Sequence, residues 1–432
     1  MRSSTVTCLK YHHGRNNKLM ILSPSEIKAQ LFASLQSIGS RKRILLIPPD
    51  FTRYHSYAGQ LTEWVWEYYG DAIKDILPAL GTHSGMTEAQ IKKMFGAVPL
   101  SLFRVHDWRN DVVTIGEVPA SFINEVTEGK LNSPWPVQVN RLLLEGDYDL
   151  ILSIGQVVPH EVVGMANHNK NVFVGTGGPE GINKSHFVGA VYGMERMMGR
   201  ASTPVRKIFD YGSDHFATDL PIYYLLTVVT DKGVSGLFSG FDKQCFLDAS
   251  EMALEKNFIM LDNPIKKAVV FLDPEEFKST WLGNKSIYRT RMAMADEGEL
   301  IVLAPGLREF GEDKEIDRLI RKYGYNGTKT TLESVDQFEE LKNNLSAAAH
   351  LIHGSSEGRF SIRYCPGKGE GMLSREEIES VGFLWGDLDA YLEEFNVSQL
   401  NQGYNQTPDG EDFYFIKNPA LGLWSSKDRF TI

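Results

Sequence analysis

Alternation constrains this chain most: short, wholly apolar runs that stop abruptly at proline or glycine, separated by stretches with helical spacing. Arg43–Pro48 reads as a strand buried on both faces, and Pro48-Pro49 ends it because proline cannot donate to a ladder. Asp149–Ile154 and Asn171–Val174 read the same way, each running into a glycine. Ile73–Leu80 contains Asp75 and Pro78, which point to a strand end or a sheet edge. Thr87 and Gln90 have the spacing of a capping box opening a helix over Glu88–Phe95, since each side chain can satisfy the other's orphan amide. Two-face-buried strands alternating with helices define an α/β fold with a doubly wound, mostly parallel sheet.

A second such series starts near Asn263-Pro264. Lys267–Leu272, Glu299–Leu303 and Phe360–Tyr364 read as strands, and Ile287–Ala295, Glu315–Tyr323, Leu332–Ala349 and Arg375–Ser380 as helices. The chain therefore divides into a larger α/β lobe over residues 1–264 and a smaller α/β lobe over 265–405, with an active site expected in the cleft between them. Residues 406–432 form a C-terminal segment in which Asp412–Ile416 alternates like an edge strand that returns to the first lobe. With 432 residues, such lobes bury a core without disulfide or metal staples.

Composition narrows the functional classes. The formal net charge is −10 and the longest basic run is Arg41-Lys42-Arg43, which argues against nucleic acid or an anionic membrane as partner. Three widely spaced cysteines, Cys8, Cys245 and Cys365, make neither a disulfide framework nor a C-x-x-C metal site. Met1–Lys18 lacks the apolar centre of a secretory leader, and no apolar run approaches the ~18 residues of a membrane span. The expectation is a soluble cytoplasmic protein in a reducing compartment.

Ligands of open α/β sheets bind beyond the carboxyl ends of the strands. Here those ends carry Asp50 and Arg53, then His83, then His160. His160–His186 adds His168, Lys170 and Lys184 and the glycine-rich stretch Gly175, Gly177, Gly178 and Gly181. A glycine-rich loop can offer backbone amides to a phosphate, although this one is neither a Walker A nor a G-x-G-x-x-G sequence. No H-E-x-x-H zinc motif is present, and imidazole alone suits zinc, nickel, copper or iron. Two histidines on separate loops suit paired acid/base work on opposite faces of a substrate, and the planar fork of Arg53 matches a carboxylate. Residue by residue, this describes an α/β enzyme acting on a small carboxylate, with provision for a phosphate-bearing cofactor and a metal.

At these positions the sequence resembles the nickel-pincer lactate racemase family. The resemblance rests on Pro49-Asp50-Phe51-Thr52-Arg53, on Gly81-Thr82-His83 followed by Met86-Thr87-Glu88, and on Val158-Pro159-His160 with Lys170 and His186 downstream. It implies a nickel-bearing pyridinium mononucleotide with two sulfur-containing groups, tethered to Lys170, with His186 completing the nickel coordination. It further implies that His83 and His160 are the two acid/base residues, that Asp50 lines the cofactor pocket beside Gly175, Gly177 and Gly178, and that Arg53 orients the substrate carboxylate. The implied partners are a small anionic 2-hydroxy acid and the enzymes that build the pincer cofactor. Two stretches depart from the family pattern. Tyr288-Arg289-Thr290-Arg291-Met292 stands where the family has Tyr-Gln and then Lys, and Asn167-His168-Asn169 replaces a common Gly-Gly-Arg before the tether. Tyr288, Arg289 and Arg291 thereby become the substrate-binding candidates, with Arg291 standing in for the lysine charge, and a 2-hydroxy acid other than lactate or longer than it is favoured. Two alternatives stand beside this reading: a zinc-dependent lyase or hydrolase using His186 and His168, and a non-catalytic cofactor-binding protein.

Overall fold

A computed structural model describes residues 21–430. Cys8 and the Met1–Lys18 stretch lie outside the described residues. The chain divides into two compact units: the first holds residues up to Val188 together with Met198–Asn257, and the second holds Gly189–Met197 together with Phe258–Ile432.

The first unit is built on a five-stranded sheet in the order Ile73–Ile76, Ile44–Ile47, Leu150–Gln156, Ile222–Thr230, Gly233–Gly240. The first four strands are parallel and the last pairs antiparallel. Alternation along Ile222–Thr230 shows why both faces must be apolar. Tyr223 and Leu225 pack with the helices Pro24–Ile38 and Ala58–Tyr69 on one side, whereas Tyr224, Leu226 and Val228 pack with Gln244–Asn257 on the other. A fully buried leucine contributes roughly 1.5–3 kcal/mol, so Leu46 and Leu152 anchor the central pair. The helix Glu88–Phe95 starts as its capping box dictates: Thr87 Oγ1 accepts from the Gln90 amide, and Gln90 Oε1 accepts from the Thr87 amide. Ile73–Ile76 is an edge strand.

Asn171–Val174 is not a strand. It forms a π-helical turn, Asn171–Gly175. Its apolar run reflects enclosure on all sides, with Phe173 packed edge-on against Trp135 and beside Phe209, and a short buried run does not distinguish strand from helix by periodicity.

The second unit has a six-stranded sheet in the order Leu384–Trp385, Ser361–Pro366, Met294–Ala304, Ile265–Phe271, Asp412–Ile416, Gly403–Gln406. Asp412–Ile416 is therefore an interior strand of this sheet and does not return to the first lobe: Phe413 and Phe415 face the same core as Val269 and Ile301. Leu423–Ser426 likewise pairs with Phe258–Leu261 inside the second unit. Ile287–Ala295 is helical only in part, because the helix Lys285–Tyr288 gives way to the strand from Met294. Leu332–Ala349 is broken into separate helices, interrupted at extended Phe338 and restarted where Asn344 caps the Ala347 amide.

Cys245 and Cys365 are buried free thiols. Among the described residues no helix is long and apolar enough to cross a membrane.

Candidate active site

Because Ile44–Ile47, Ile73–Ile76 and Leu150–Gln156 are parallel, their carboxyl ends share one edge of the first sheet. After Ile76 the chain keeps alongside Pro48-Pro49, with the Ala79 amide on the Pro48 carbonyl at 2.8 Å, then turns at left-handed Gly81. That turn delivers His83 to Asp50: Nδ1 lies 2.6 Å from Oδ2. The other Asp50 oxygen accepts from the Thr52 amide at 3.2 Å and caps the kinked 3-10 segment Phe51–Ser56. Burial opposes ionisation of Asp50, but the His83 hydrogen bond and charge, the Thr52 hydroxyl and the Arg53 charge together hold its carboxyl below the usual aspartate value. An ionised Asp50 only accepts, so His83 donates from Nδ1 and keeps Nε2 as its basic nitrogen.

His160 follows the next strand, on a short antiparallel pair, Pro159–His160 with Gly164–Met165. It is buried, and the Val162 amide donates to its Nδ1 at 3.1 Å. The Glu161 carboxylate stands 3.7 Å from the same nitrogen.

Lys170 sits at the end of a tightly held loop. Asn167 and His168 both adopt left-handed backbone, φ 67° and 57°, a conformation that costs energy for residues with a Cβ and persists only where neighbours impose it. The buried Arg206 imposes it here, donating to the Met165 carbonyl at 2.6 Å, to the Asn167 carbonyl at 3.2 Å and to the Asn169 side chain. Asn169 in turn donates to Asp210 at 2.8 Å. On the far side of Lys170, the Asn171 side chain donates to the Ile47 carbonyl and to Ser153, each at 3.0 Å, tying the π turn to two neighbouring strands. Burial, then the positive charges of Arg53 and Arg206, push the Lys170 amine from 10.5 down to about 8, against the opposing pull of Glu161 and Asp50. His186, on the helix Pro179–Tyr192, directs Nδ1 to its own Ile182 carbonyl at 2.8 Å. Burial holds its ring below the usual histidine value, with the Lys170 charge acting the same way, and a neutral ring that donates from Nδ1 presents Nε2 as a ligand.

Asp50, Arg53, His83, Lys170 and His186 thus form one electrostatically linked group. The glycines are explained by close packing: a Cβ on Gly175 would meet Ala79 at 2.6 Å, on Gly177 the Phe173 carbonyl at 1.9 Å and on Gly178 the Gln138 side chain at 2.6 Å. The Thr176 amide is bonded to Asn171 and the Gly181 amide to Gln138, so these two donors of the loop are spent within the protein. In the second unit Tyr288, Arg289 and Arg291 are buried, and Arg291 does not offer the free charge of a lysine: its Nε lies 3.1 Å from Glu195, which Arg359 also engages at 2.9 Å. His168 is a packing residue, 4.0 Å from the Tyr224 ring and stacked on Phe246, with its basicity pushed far down by burial and by Arg206 and Lys243. Among the described residues no three His, Cys, Asp or Glu side chains gather as a metal site. Sequence reasoning missed Glu161, Arg206 and His106, whose Nε2 contacts the Gly177 carbonyl at 3.0 Å. Only Glu161 carried a usable signal, its place next to His160.

Residues 27–198 match the family model described as the lactate racemase N-terminal domain. That stretch of the chain is similar to the family's N-terminal domain, and it contains every first-unit candidate named above. A crystal structure of a Thermotoga maritima protein from structural genomics is similar with a TM-score of 0.77 and 25% identity, over 94% of this chain and 99% of that one. The lactate racemase apoprotein of Thermoanaerobacterium thermosaccharolyticum shares the fold, with a TM-score of 0.69 and 17% identity over 92% of each chain. No curated protein matches the chain. The chain thus shares its fold with the lactate racemase apoprotein, and its first unit is similar to the lactate racemase N-terminal domain.

Proposed function

We propose that the protein is a nickel-pincer-nucleotide-dependent racemase or epimerase that inverts C2 of a 2-hydroxy acid. The observation that carries this reading is the His83–Asp50 pair at 2.6 Å, on the same sheet edge as His160 and in the same charge network as a lysine whose amine is lowered to about 8. The residues present suit such a cofactor. An amine lowered to about 8 is about one-tenth neutral at pH 7, far more than an ordinary lysine, which favours its use as the tether, and the Ile182-bonded His186 has Nε2 for a metal. Lys170 and His186 would hold the group, and when bound it supplies the hydride acceptor and donor for C2.

The chain's own residues supply orientation and proton transfer. Arg53 binds the substrate carboxylate with its planar fork. His83 takes the hydroxyl proton at Nε2, and ionised Asp50 stabilises the imidazolium that results. His160 serves the opposite face, so that the product hydroxyl receives its proton from the other side. The departures at Tyr288–Met292, with Arg291 committed to Glu195, favour a 2-hydroxy acid other than lactate or longer than it. Cytoplasmic location and dependence on the cofactor-building enzymes belong to the same reading.

The test is protein purified from its native host. Intact mass is expected to show an adduct that peptide mapping assigns to Lys170, metal analysis to show nickel, and a panel of 2-hydroxy acids to include one that is inverted without added NAD. Stoichiometric zinc with an unmodified Lys170, or a fully loaded protein inert on the whole panel, would sink the reading.

A further inference from the structure

The two acid/base histidines are wired differently, and the difference identifies a residue that the proposed reaction needs. At His83, Nδ1 faces the Asp50 carboxylate at 2.6 Å. This arrangement serves the neutral ring and the imidazolium alike, because Nδ1 keeps its proton in both and only Nε2 changes. At His160, Nδ1 accepts from the Val162 amide at 3.1 Å. A nitrogen that accepts carries no proton, so the neutral ring has its proton on Nε2, and this tautomer has no basic nitrogen to offer a substrate.

We propose that Glu161 is the positioning residue that brings His160 into its working state, a second carboxylate partner equivalent to Asp50. Its Oε2 lies 3.7 Å from Nδ1, and it is the carboxylate whose charge both Lys170 and His186 sense. Taking up one proton at Nδ1 breaks the Val162 hydrogen bond, since two donors cannot face each other, and gives an imidazolium with Nδ1–H directed to Glu161 and Nε2–H directed to the substrate oxygen. Donation from Nε2 leaves a neutral ring that keeps Nδ1–H on Glu161 and carries its lone pair on Nε2. That is the form able to accept a hydroxyl proton when the reaction runs the other way. The structure thus holds one histidine–carboxylate pair at 2.6 Å and the other at 3.7 Å, with the Val162 amide on the second ring.

This inference rests on the racemase reading for its purpose but not for its first test. In apoprotein labelled with ¹⁵N-histidine, long-range ¹H–¹⁵N correlations at neutral pH are expected to show neutral His83 protonated on Nδ1 and neutral His160 protonated on Nε2. Once both rings are protonated, Glu161→Gln is expected to move the Nδ1 proton resonance of His160 and leave that of His83 in place. Like tautomers in the two rings, or a His160 resonance indifferent to Glu161→Gln, overturns the proposal whatever the enzyme turns over. In loaded enzyme, Glu161→Gln should lower kcat about tenfold to a hundredfold with KM nearly unchanged, and Glu161→Asp should restore much of the loss. Full kcat in Glu161→Gln also overturns it. If the tautomers differ as stated but no 2-hydroxy acid is inverted, the racemase reading fails and the structural assignment stands.

Discussion

Each unit sets a histidine in a polar cluster, exposed His83 in the first and buried His350 in the second, and the two clusters have different chemistry. In the second unit the His350 Nε2 meets the Tyr325 hydroxyl at 3.0 Å and the Asn284 amide at 3.4 Å; Tyr325 also meets Thr280 at 2.8 Å, and Tyr364 donates to Asn284 at 2.7 Å. These are neutral groups closing on one another in a fixed pattern. In the first unit His83 meets a carboxylate held ionised, with a second carboxylate beside His160. A neutral partner fixes a ring in place, whereas an anionic partner also stabilises its imidazolium, so the first arrangement specifies structure and the second can move protons. The contrast predicts that substitutions in the first cluster cost activity and those in the second cost stability.

The largest effect is expected at Lys170. On the proposed function, Lys170→Ala should reduce racemisation to background while the apoprotein keeps its circular dichroism spectrum, because that reading needs the side chain only as the tether. Full activity in this variant would detach the first-unit cluster from any covalent cofactor. Next comes Asp50→Asn, which leaves a hydrogen-bonding side chain but removes the charge and permits the wrong His83 tautomer. A loss of about 10²–10⁴ in kcat is expected, measured under saturating substrate. A loss below tenfold would mean that Asp50 is only a cap for the segment Phe51–Ser56, and the contrast between the units would collapse.

Much of the first cluster was legible before the structure. Strand ends can be read from Pro48-Pro49 and Gly155, and the parallel topology that follows from two-face-buried strands brings Asp50, His83 and His160 to one edge. What stayed hidden was three-dimensional pairing. Nothing local announces that Asp50 contacts a histidine 33 residues away, that Arg206 clamps the loop before Lys170, or that Glu195 takes up the charge of Arg291. Local pattern also misled where burial was uniform: the run Val172–Val174 is apolar because Trp135 and Phe209 enclose Phe173, not because it pairs in a sheet. Asp412–Ile416 alternates as an edge strand would, yet it lies inside the second sheet because Gly403–Gln406 covers its other side.

In the second cluster, Asn284→Ala removes the acceptor of the buried Tyr364 hydroxyl and one of the neighbours of His350, which keeps Tyr325. The expected cost is about 1–3 kcal/mol in urea unfolding, with kcat changed far less than in Asp50→Asn. Comparable activity losses in the two variants would show that the neutral cluster also serves the reaction.

The smallest effect is a pH-dependent stability difference that returns to Lys170. Its folded-state value is lowered from 10.5 to about 8, so between those values the unfolded chain holds a proton that the folded chain has released. Stability therefore rises with pH across this window, is fully gained above the unfolded value and is lost as pH falls through about 8. Lys170→Met removes the amine while keeping much of its apolar volume, and so removes the penalty that the native lysine imposes at lower pH. The apoprotein variant should unfold at a higher temperature than the native sequence at about pH 7, and by a smaller margin at about pH 10, where the unfolded lysine is itself shedding its proton. An equal margin at both pH values would mean that the Lys170 amine is not depressed, and that the first-unit charge network leaves the proposed tether an ordinary lysine.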